Sequence, residues 1–396
     1  MVATPGGPLP NPPPQAGEGV RRHTMVTVDF LVIGAGIAGA SAGFELATHG
    51  RVIVLERELQ AGYHATGRSA ALFSEIYGNA PVRALSRASR DFLFAPPPGF
   101  SEIPLVRPRG VLYIAAADEL AAVQAFRAAP DVARDTHELS TRQALELVPI
   151  LRADHAAHCV YEPDAMDVEP AALHQSYLKG LRQRGGRVVT NCAIGSMERV
   201  AGQWSVQTAD ETFVAPILIN AAGAWADEVA TLAGVRTIGL EPRRRTALLI
   251  EPPAGLAVNR WPMVIDIQES FYFKPDAGKL LLSPCDETPS APCDAQPEEL
   301  DVAIAVDRLE NATTLSVQRV THRWAGLRSF VADRSPVVGF APDSENFFWL
   351  AGQGGYGFQT APALSRVAAA LVLRQAVPAD IAVHGVELET LSPRRF

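Results

Sequence analysis

A strand, a glycine turn, a helix, a second strand and an acid, in that order, constrain the early part of this chain more than any other feature. Asp29-Phe30-Leu31-Val32-Ile33 is an unbroken apolar run, the pattern of a parallel strand buried on both faces. Gly34-Ala35-Gly36-Ile37-Ala38-Gly39 follows, Ala40 to Thr48 reads as a helix, and His49-Gly50 supplies a stop. Arg51 to Leu55 is a second apolar strand that ends at Glu56-Arg57. Only glycine turns tightly enough at Gly34 and lets backbone approach a pyrophosphate at Gly36, while Gly39 lets helix pack closely on strand. Free N–H groups at the helix start, around Ile37 and Ala38, favour phosphate. Glu56 falls about 20 residues on, where an acid accepts ribose hydroxyls. Each part alone is weak evidence; the ordered set predicts dinucleotide binding.

The next segment chooses between nicotinamide and flavin. A nicotinamide unit would continue into a third strand, but here Tyr63-His64-Ala65-Thr66-Gly67-Arg68-Ser69-Ala70-Ala71 comes after the acid. Its small and hydroxyl residues suit a path along a flavin. Far along the chain, the apolar strand Phe347 to Ala351 runs into Gly352-Gln353-Gly354-Gly355-Tyr356-Gly357, and a helix follows from Pro362 to Gln375. Strand and helix flank this run so tightly that it reads as a second close approach to the same cofactor rather than a slack loop.

A length of 396 residues predicts about two domains. Glu169-Pro170 opens a helix that Gly185-Gly186 ends, Arg187 to Thr190 is the next strand, and Phe213 to Asn220 reads as one further strand. Pro104 to Ala115, Arg243 to Ile250, Ser270 to Lys274 and Lys279 to Ser283 read as strands of a mixed or antiparallel sheet, and Pro297 to Leu309 as a helix. The expected fold is α/β. A Rossmann-like dinucleotide-binding domain is assembled from residues 25–80, 160–230 and 335–396, and an inserted mixed-sheet α+β substrate domain comes from 81–159 and 231–334. The first 24 residues, crowded with Pro and Gly from Pro5 through Gly19, read as a disordered leader, with Met25 as the natural start.

Composition excludes several functions. A net charge of −8 with no Lys/Arg block argues against nucleic acid. Cys159, Cys192, Cys285 and Cys293 have no metal spacing and read as reduced thiols of a cytoplasmic protein. Without 18 uninterrupted apolar residues no spanning helix is expected.

At Val32–Gly39, Gly62–Ala71, Leu173–Gly180, Asn220–Trp225, Trp261-Pro262-Met263, Ser270–Asp276, Trp324–Asp333, Gln353–Thr360 and Leu391–Arg395 the chain resembles the D-amino acid oxidase/dehydrogenase superfamily, which also holds sarcosine and glycine oxidases. Within it the likeness is greatest to bacterial FAD-dependent D-arginine dehydrogenases. The resemblance implies a GR2-type FAD-binding domain and a flavin held without a covalent bond, since Ser329 stands where relatives that attach it have a nearby cysteine. It implies cofactor contacts from Gly34, Gly36, Ile37, Ala38, Gly39, Glu56, Arg57, His64, Thr66, Gly67, Arg68, Ser69, Ala70 and Ala71. Further contacts are implied from Ala193, Ala222, Gly223, Trp225, Gly354, Gly355, Tyr356, Gly357 and Gln359.

Substrate positions follow in the same way. Arg245 and Arg328 match arginines that grip a carboxylate, with Arg244 in reserve; Tyr77 and Tyr272 match pocket tyrosines, and Gly355 a backbone contact to the amine. Leu72, Ser74 and Val111 complete the pocket. Val111 replaces the glutamate that pairs with a guanidinium in D-arginine dehydrogenases, and Leu72 replaces a histidine. A guanidinium buried against Val and Leu would stay unpaired at a cost of several kcal/mol, so a small or apolar side chain is expected, unless Arg107 or Arg109 reaches the pocket and admits an acidic one. From the residues alone, Arg328 in its apolar context needs an anion, either a substrate or a protein carboxylate. Strand alternation puts Arg243 and Arg245 on one face and Arg244 on the other.

The expected reaction is hydride transfer from a D-amino acid to flavin N5, giving a 2-oxo acid and ammonia after hydrolysis. Leu281 stands where oxygen-using relatives carry a lysine, so a dehydrogenase with a quinone or other acceptor is expected ahead of oxygen. Such an acceptor would place the protein in the cytoplasm or peripheral to the inner membrane. The competing readings are a glycine- or sarcosine-type amine oxidase, a 2-hydroxy acid dehydrogenase and a flavin-binding regulatory protein.

Overall fold

The structure is a computed structural model that describes residues 24–396. The predicted leader lies outside the described residues except at Thr24, which already belongs to the strand Thr24–Thr27. That strand pairs in parallel with Glu211–Ala215 in a four-stranded sheet of its own, so Met25 sits inside an element rather than before the first one.

The central sheet has six strands. Phe30–Ile33 lies between Val52–Leu55 and Ile217–Asn220, Arg187–Val189 flanks the former, and Phe347–Ala351 and Val337–Phe340 flank the latter. All pairings are parallel except the last. The three strands nearest the centre are apolar and almost wholly buried, because helices cover one face and the four-stranded sheet packs on the other. The helix Ile37–Leu46 sits on the sheet between Pro170–Gln183 and Gly357–Val372.

Proline and glycine break two segments that hydropathy reads as continuous. Phe213 to Asn220 is two strands, Glu211–Ala215 and Ile217–Asn220, in different sheets, because Pro216 has no N–H to continue a ladder. Pro104 to Ala115 divides into Val106–Pro108 and Val111–Ala115, with Gly110 at φ 71 turning the chain between them. The helix Gly357–Val372 begins ahead of the expected Pro362, which lies inside it.

The second large sheet has nine strands. Its core runs through Glu241–Ile250, Lys279–Ser283, Tyr272–Asp276, Met263–Asp266, Val111–Ala115 and His158–Glu162, and Val320–Phe330 pairs with Glu241–Ile250. The helix Glu299–Ala312 covers one face. The other face looks toward the glycine turns. Among the described residues no helix is long and apolar enough to cross a membrane, and no group of residues could hold a metal ion.

Candidate active site

Two connected cavities lie where the two large sheets meet. The larger, about 2100 Å³ with its open mouth, follows the end of Phe30–Ile33 past Gly34, Gly36 and Glu56, along Gly62 to Ala70, and on to Gly352–Gly355. The smaller, about 740 Å³, is a chamber at its far end. Ser69, Ala70, Arg245, Tyr272, Arg328, Gly355 and Phe358 line both, so the chamber opens onto the groove.

The glycine turn has the shape its composition requires. Gly34 sits at φ 98, and a Cβ there would stand 2.5 Å from the Ala221 carbonyl oxygen. A Cβ at Gly39 would lie 1.9 Å from the Gly34 carbonyl oxygen, so Gly39 packs helix on strand and lines neither cavity. At Gly36 the nearest atom to an added Cβ is Thr66 Oγ1, at 3.1 Å, and that hydroxyl accepts from the Ile37 N–H at 3.0 Å. Glu56 accepts from the Ala35 N–H at 2.9 Å and from the Glu58 N–H at 3.0 Å, which holds its carboxylate on the groove wall. His174 was not singled out from the sequence. It lies behind the turn with Nε2 2.8 Å from the Ala35 carbonyl oxygen, and burial lowers its pKa, so the neutral ring donates that bond.

The segment after the acid is locked onto the second sheet. Arg68 donates to the carbonyls of Ala295 and Ala325 at 2.9 and 2.8 Å and pairs with Asp294, while Trp324 Nε1 donates to the Arg68 carbonyl at 3.0 Å. Arg57 lies 3.9 Å over the Trp225 ring, and His64 sits 2.9 Å from Glu58. Arg57, His64, Arg68 and Trp225 line the groove together with Ala193, Ala222 and Gly223. Gly67 and Tyr356 line neither cavity: Gly67 donates to the Gly62 carbonyl at 2.7 Å, and Tyr356 packs on Tyr77 and Phe330.

A narrow groove with backbone-only floors at Gly34, Gly36 and Gly354–Gly355, a helix start beside it and an acid on its wall fits an extended dinucleotide. Gly354 and Gly355 are as constrained as the first turn: an added Cβ would meet Phe330 at 2.1 Å and the Arg328 guanidinium at 2.8 Å, respectively.

The chamber collects most of the expected substrate residues. Arg328, Arg245, Tyr77, Tyr272, Gly355, Leu72, Ala71 and Gln359 line it. Arg328 lies against the Tyr77 hydroxyl at 3.5 Å, and among the described residues no carboxylate pairs with it. Burial raises the pKa of Tyr77 and of Tyr272, with Arg328 pulling the other way, so both phenols stay protonated hydrogen-bonding groups. Arg245 is differently placed: it donates to the Asp286 carbonyl at 2.9 Å and pairs with Glu287 at 3.1 Å, and Arg334 holds Glu287 from its other side.

Three expected pocket residues lie elsewhere. Arg244 points from the opposite face of its strand into ion pairs with Asp301, at 2.9 Å, and Glu298, as alternation demands. Val111 is fully buried behind the wall, and Ser74 is buried against Glu162. Arg109 and Arg107 line neither cavity; they pair with Asp167 and Glu169. Leu281 is buried across from Lys274, whose ammonium is 2.8 Å from Asp167.

The wall also includes Tyr113, Met263, Ile265, Glu269, Cys285 and Phe358, which were not assigned to it from the sequence. Tyr113 follows Val111 by two residues, so strand alternation was the available signal. Glu269 and Cys285 sit on turns at φ 52 and 53, and no sequence pattern marks such positions.

A family model for FAD dependent oxidoreductases, DAO, matches residues 29–371. The chain is 22% identical to glycine oxidase of Geobacillus kaustophilus (strain HTA426), covering 89% of this chain and 95% of that one. It is 25% identical to mitochondrial sarcosine dehydrogenase of Mus musculus over 246 residues, only 26% of that protein. It likewise spans 35% of the FAD-dependent oxidoreductase domain-containing protein 1 of Bos taurus, at 28% identity over 40% of this chain. Among solved structures, L-alpha-glycerophosphate oxidase from Mycoplasma pneumoniae with FAD bound superimposes with a TM-score of 0.79 at 19% identity, covering 88% of this chain and 95% of that one. Glycine oxidase from Geobacillus kaustophilus gives 0.77 at 22%, covering 91% and 99%. The groove, its glycine floors and these matches agree: the chain belongs to the DAO family of FAD-dependent oxidoreductases.

Proposed function

We propose that this protein oxidises a small or apolar amino acid, of D configuration, to a 2-oxo acid and ammonia. The observation that carries the reading is Arg328: a guanidinium on the chamber wall, between aromatic hydroxyls, with no protein carboxylate of its own among the described residues. A substrate carboxylate suits that planar fork. FAD, bound in the groove without a covalent bond, supplies the two-electron acceptor, and the imine product then hydrolyses in water. The protein's part is to place the substrate. Arg328 holds the carboxylate, Arg245 adds positive charge beside it, and Tyr77, Tyr272 and the Gly355 carbonyl frame the amine. Leu72, Met263, Ile265 and Phe358 offer the side chain an apolar wall, and the Tyr113 hydroxyl faces the same chamber as the amine. Positioning of this kind supplies much of the acceleration.

Val111 and Leu72 carry no carboxylate where the resemblance would place the distal cation of D-arginine or D-lysine, so such a side chain would have to pair with Glu269, the one carboxylate on the chamber wall among the described residues. A second reading, oxidation of glycine, sarcosine or another secondary amine, draws support from the likeness to glycine oxidase and sarcosine dehydrogenase. The electrons pass to a quinone or another acceptor. The test is anaerobic mixing of the FAD-loaded protein with D- and L-amino acids, N-methylated amines and 2-hydroxy acids while flavin absorbance is followed. Bleaching by apolar D-amino acids is expected. Bleaching by hydroxy acids or secondary amines alone overturns the reading.

A further inference from the structure

Behind the chamber lies an acid with no cationic partner among the described residues. Glu162 is 3% exposed, at the end of the strand His158–Glu162. It stands across the strand pair from Val111, on the face that also carries Tyr113. The Ser74 hydroxyl reaches both its carboxylate oxygens, at 2.9 and 3.0 Å, and the Tyr113 hydroxyl lies close enough to interact with it. Ser74 is itself held: its N–H donates to Gln359 Oε1 at 3.3 Å, and Gln359 Nε2 donates to Ser86 Oγ at 2.8 Å. Tyr113 and Gln359 line the chamber; Ser74 and Glu162 do not. A buried carboxyl thus connects to the chamber through two hydroxyls and is otherwise sealed from it.

We propose that Tyr113, Ser74 and Glu162 form a proton wire that takes the proton leaving the substrate ammonium, with Glu162 as its terminus. The proposal rests on the amine-oxidising reading above. Oxidation needs a lone pair on the amine nitrogen, so the bound ammonium must first lose one proton. In the wire, that N–H bond breaks as a proton joins the Tyr113 oxygen. The Tyr113 proton moves to Ser74 Oγ, and the Ser74 proton to the Glu162 carboxylate. One proton is transferred in total, both hydroxyls end as they began, and no electrons change hands.

The surroundings tune the terminus. Burial pushes the Glu162 carboxyl up to about 8, against the lowering effect of the Ser74 bond. The charged groups facing it are Glu75 in the segment after Ser74, Asp135 at the end of the helix Pro130–Asp135, and Asp164 in the following turn; all three are acidic and raise it further. Glu162 therefore mostly holds its proton at neutral pH, and the ionised form that can accept one accumulates as pH rises through about 8.

The test uses the FAD-loaded protein and has two arms. In the first, needing no substrate, infrared spectra across pH should show the carbonyl stretch of a buried protonated carboxyl fading through about 8, and Glu162→Gln should lack it. In the second, kcat for the best amine is followed against pH. The wild type should rise to a plateau, whereas Glu162→Gln and Tyr113→Phe should lose that limb and fall roughly 100-fold at the plateau, a modest general-base contribution. Ser74→Ala should reproduce the kinetic effect with the infrared band retained, which covers the case in which Glu162→Gln does not fold. Superimposable pH profiles for active wild type and variants, or no titrating carboxyl band, overturn the wire while leaving the amine reading intact. If no amine bleaches the flavin, the amine reading itself has failed and the wire falls with it.

Discussion

An arginine held among aromatic rings, with no carboxylate of its own among the described residues, has to find its anion elsewhere. Arg328→Ala should lower kcat/KM roughly 30- to 5,000-fold, the kinetic equivalent of about 2–5 kcal/mol for a charge-assisted pair. FAD content should be unchanged, and an unaltered kcat/KM would remove Arg328 from the substrate site. Arg245→Ala should cost less in kcat/KM, because its guanidinium is already shared with Glu287. Residue types spoke clearly in the sequence where chemistry leaves few choices: Arg328 in an apolar run and Glu56 at a strand end could be singled out, and both stand on cavity walls. Val111 and Ser74 could not be placed so well. Whether a side chain lines a chamber or backs it depends on which strand lies across from it, and Glu162 supplies that partner from a distant part of the chain.

At the scale of elements, the two glycine runs act as floors, and each should fail in its own way when given a side chain. Gly34→Ala puts a Cβ against the Ala221 carbonyl at a φ of 98, so FAD per chain should drop sharply while far-ultraviolet dichroism stays unchanged; full flavin occupancy would refute the cradle. Gly355→Ala should instead retain FAD and raise KM, because the methyl group strikes the Arg328 guanidinium rather than the groove floor. The first strand–turn–helix–strand unit was readable because its apolar runs are bounded by glycines whose spacing has one mechanical explanation. The split of Phe213 to Asn220 was harder to read. Both halves are apolar, and Pro216 had to outweigh hydropathy.

For the molecule as a whole, two buried groups give pH-dependent stability of opposite sign. His174 has a lowered folded pKa, so below about 6.5 the unfolded chain binds more protons and stability falls with acidification. The thermal midpoint should decline on acidification, and His174→Gln should flatten that slope; parallel curves would show that His174 is not its source. Glu162, raised to about 8, works the other way: the folded state holds its proton above the ordinary value of 4.5, so this contribution fades as pH rises through about 8. Composition and charge forecast none of this, because it depends on which polar groups the two sheets trap between them.

The sheet order has a consequence for biosynthesis. Phe347–Ala351 lies directly beside Ile217–Asn220, one strand away from Phe30–Ile33, yet it leaves the ribosome long after both. Until then Ile217–Asn220 has an open edge, and the groove lacks the wall that Gly352–Gly357 provides. Nascent chains arrested before Gly352 should therefore fail to retain flavin and should engage holdase chaperones, whereas chains extended past the helix Gly357–Val372 should capture the coenzyme in a single step.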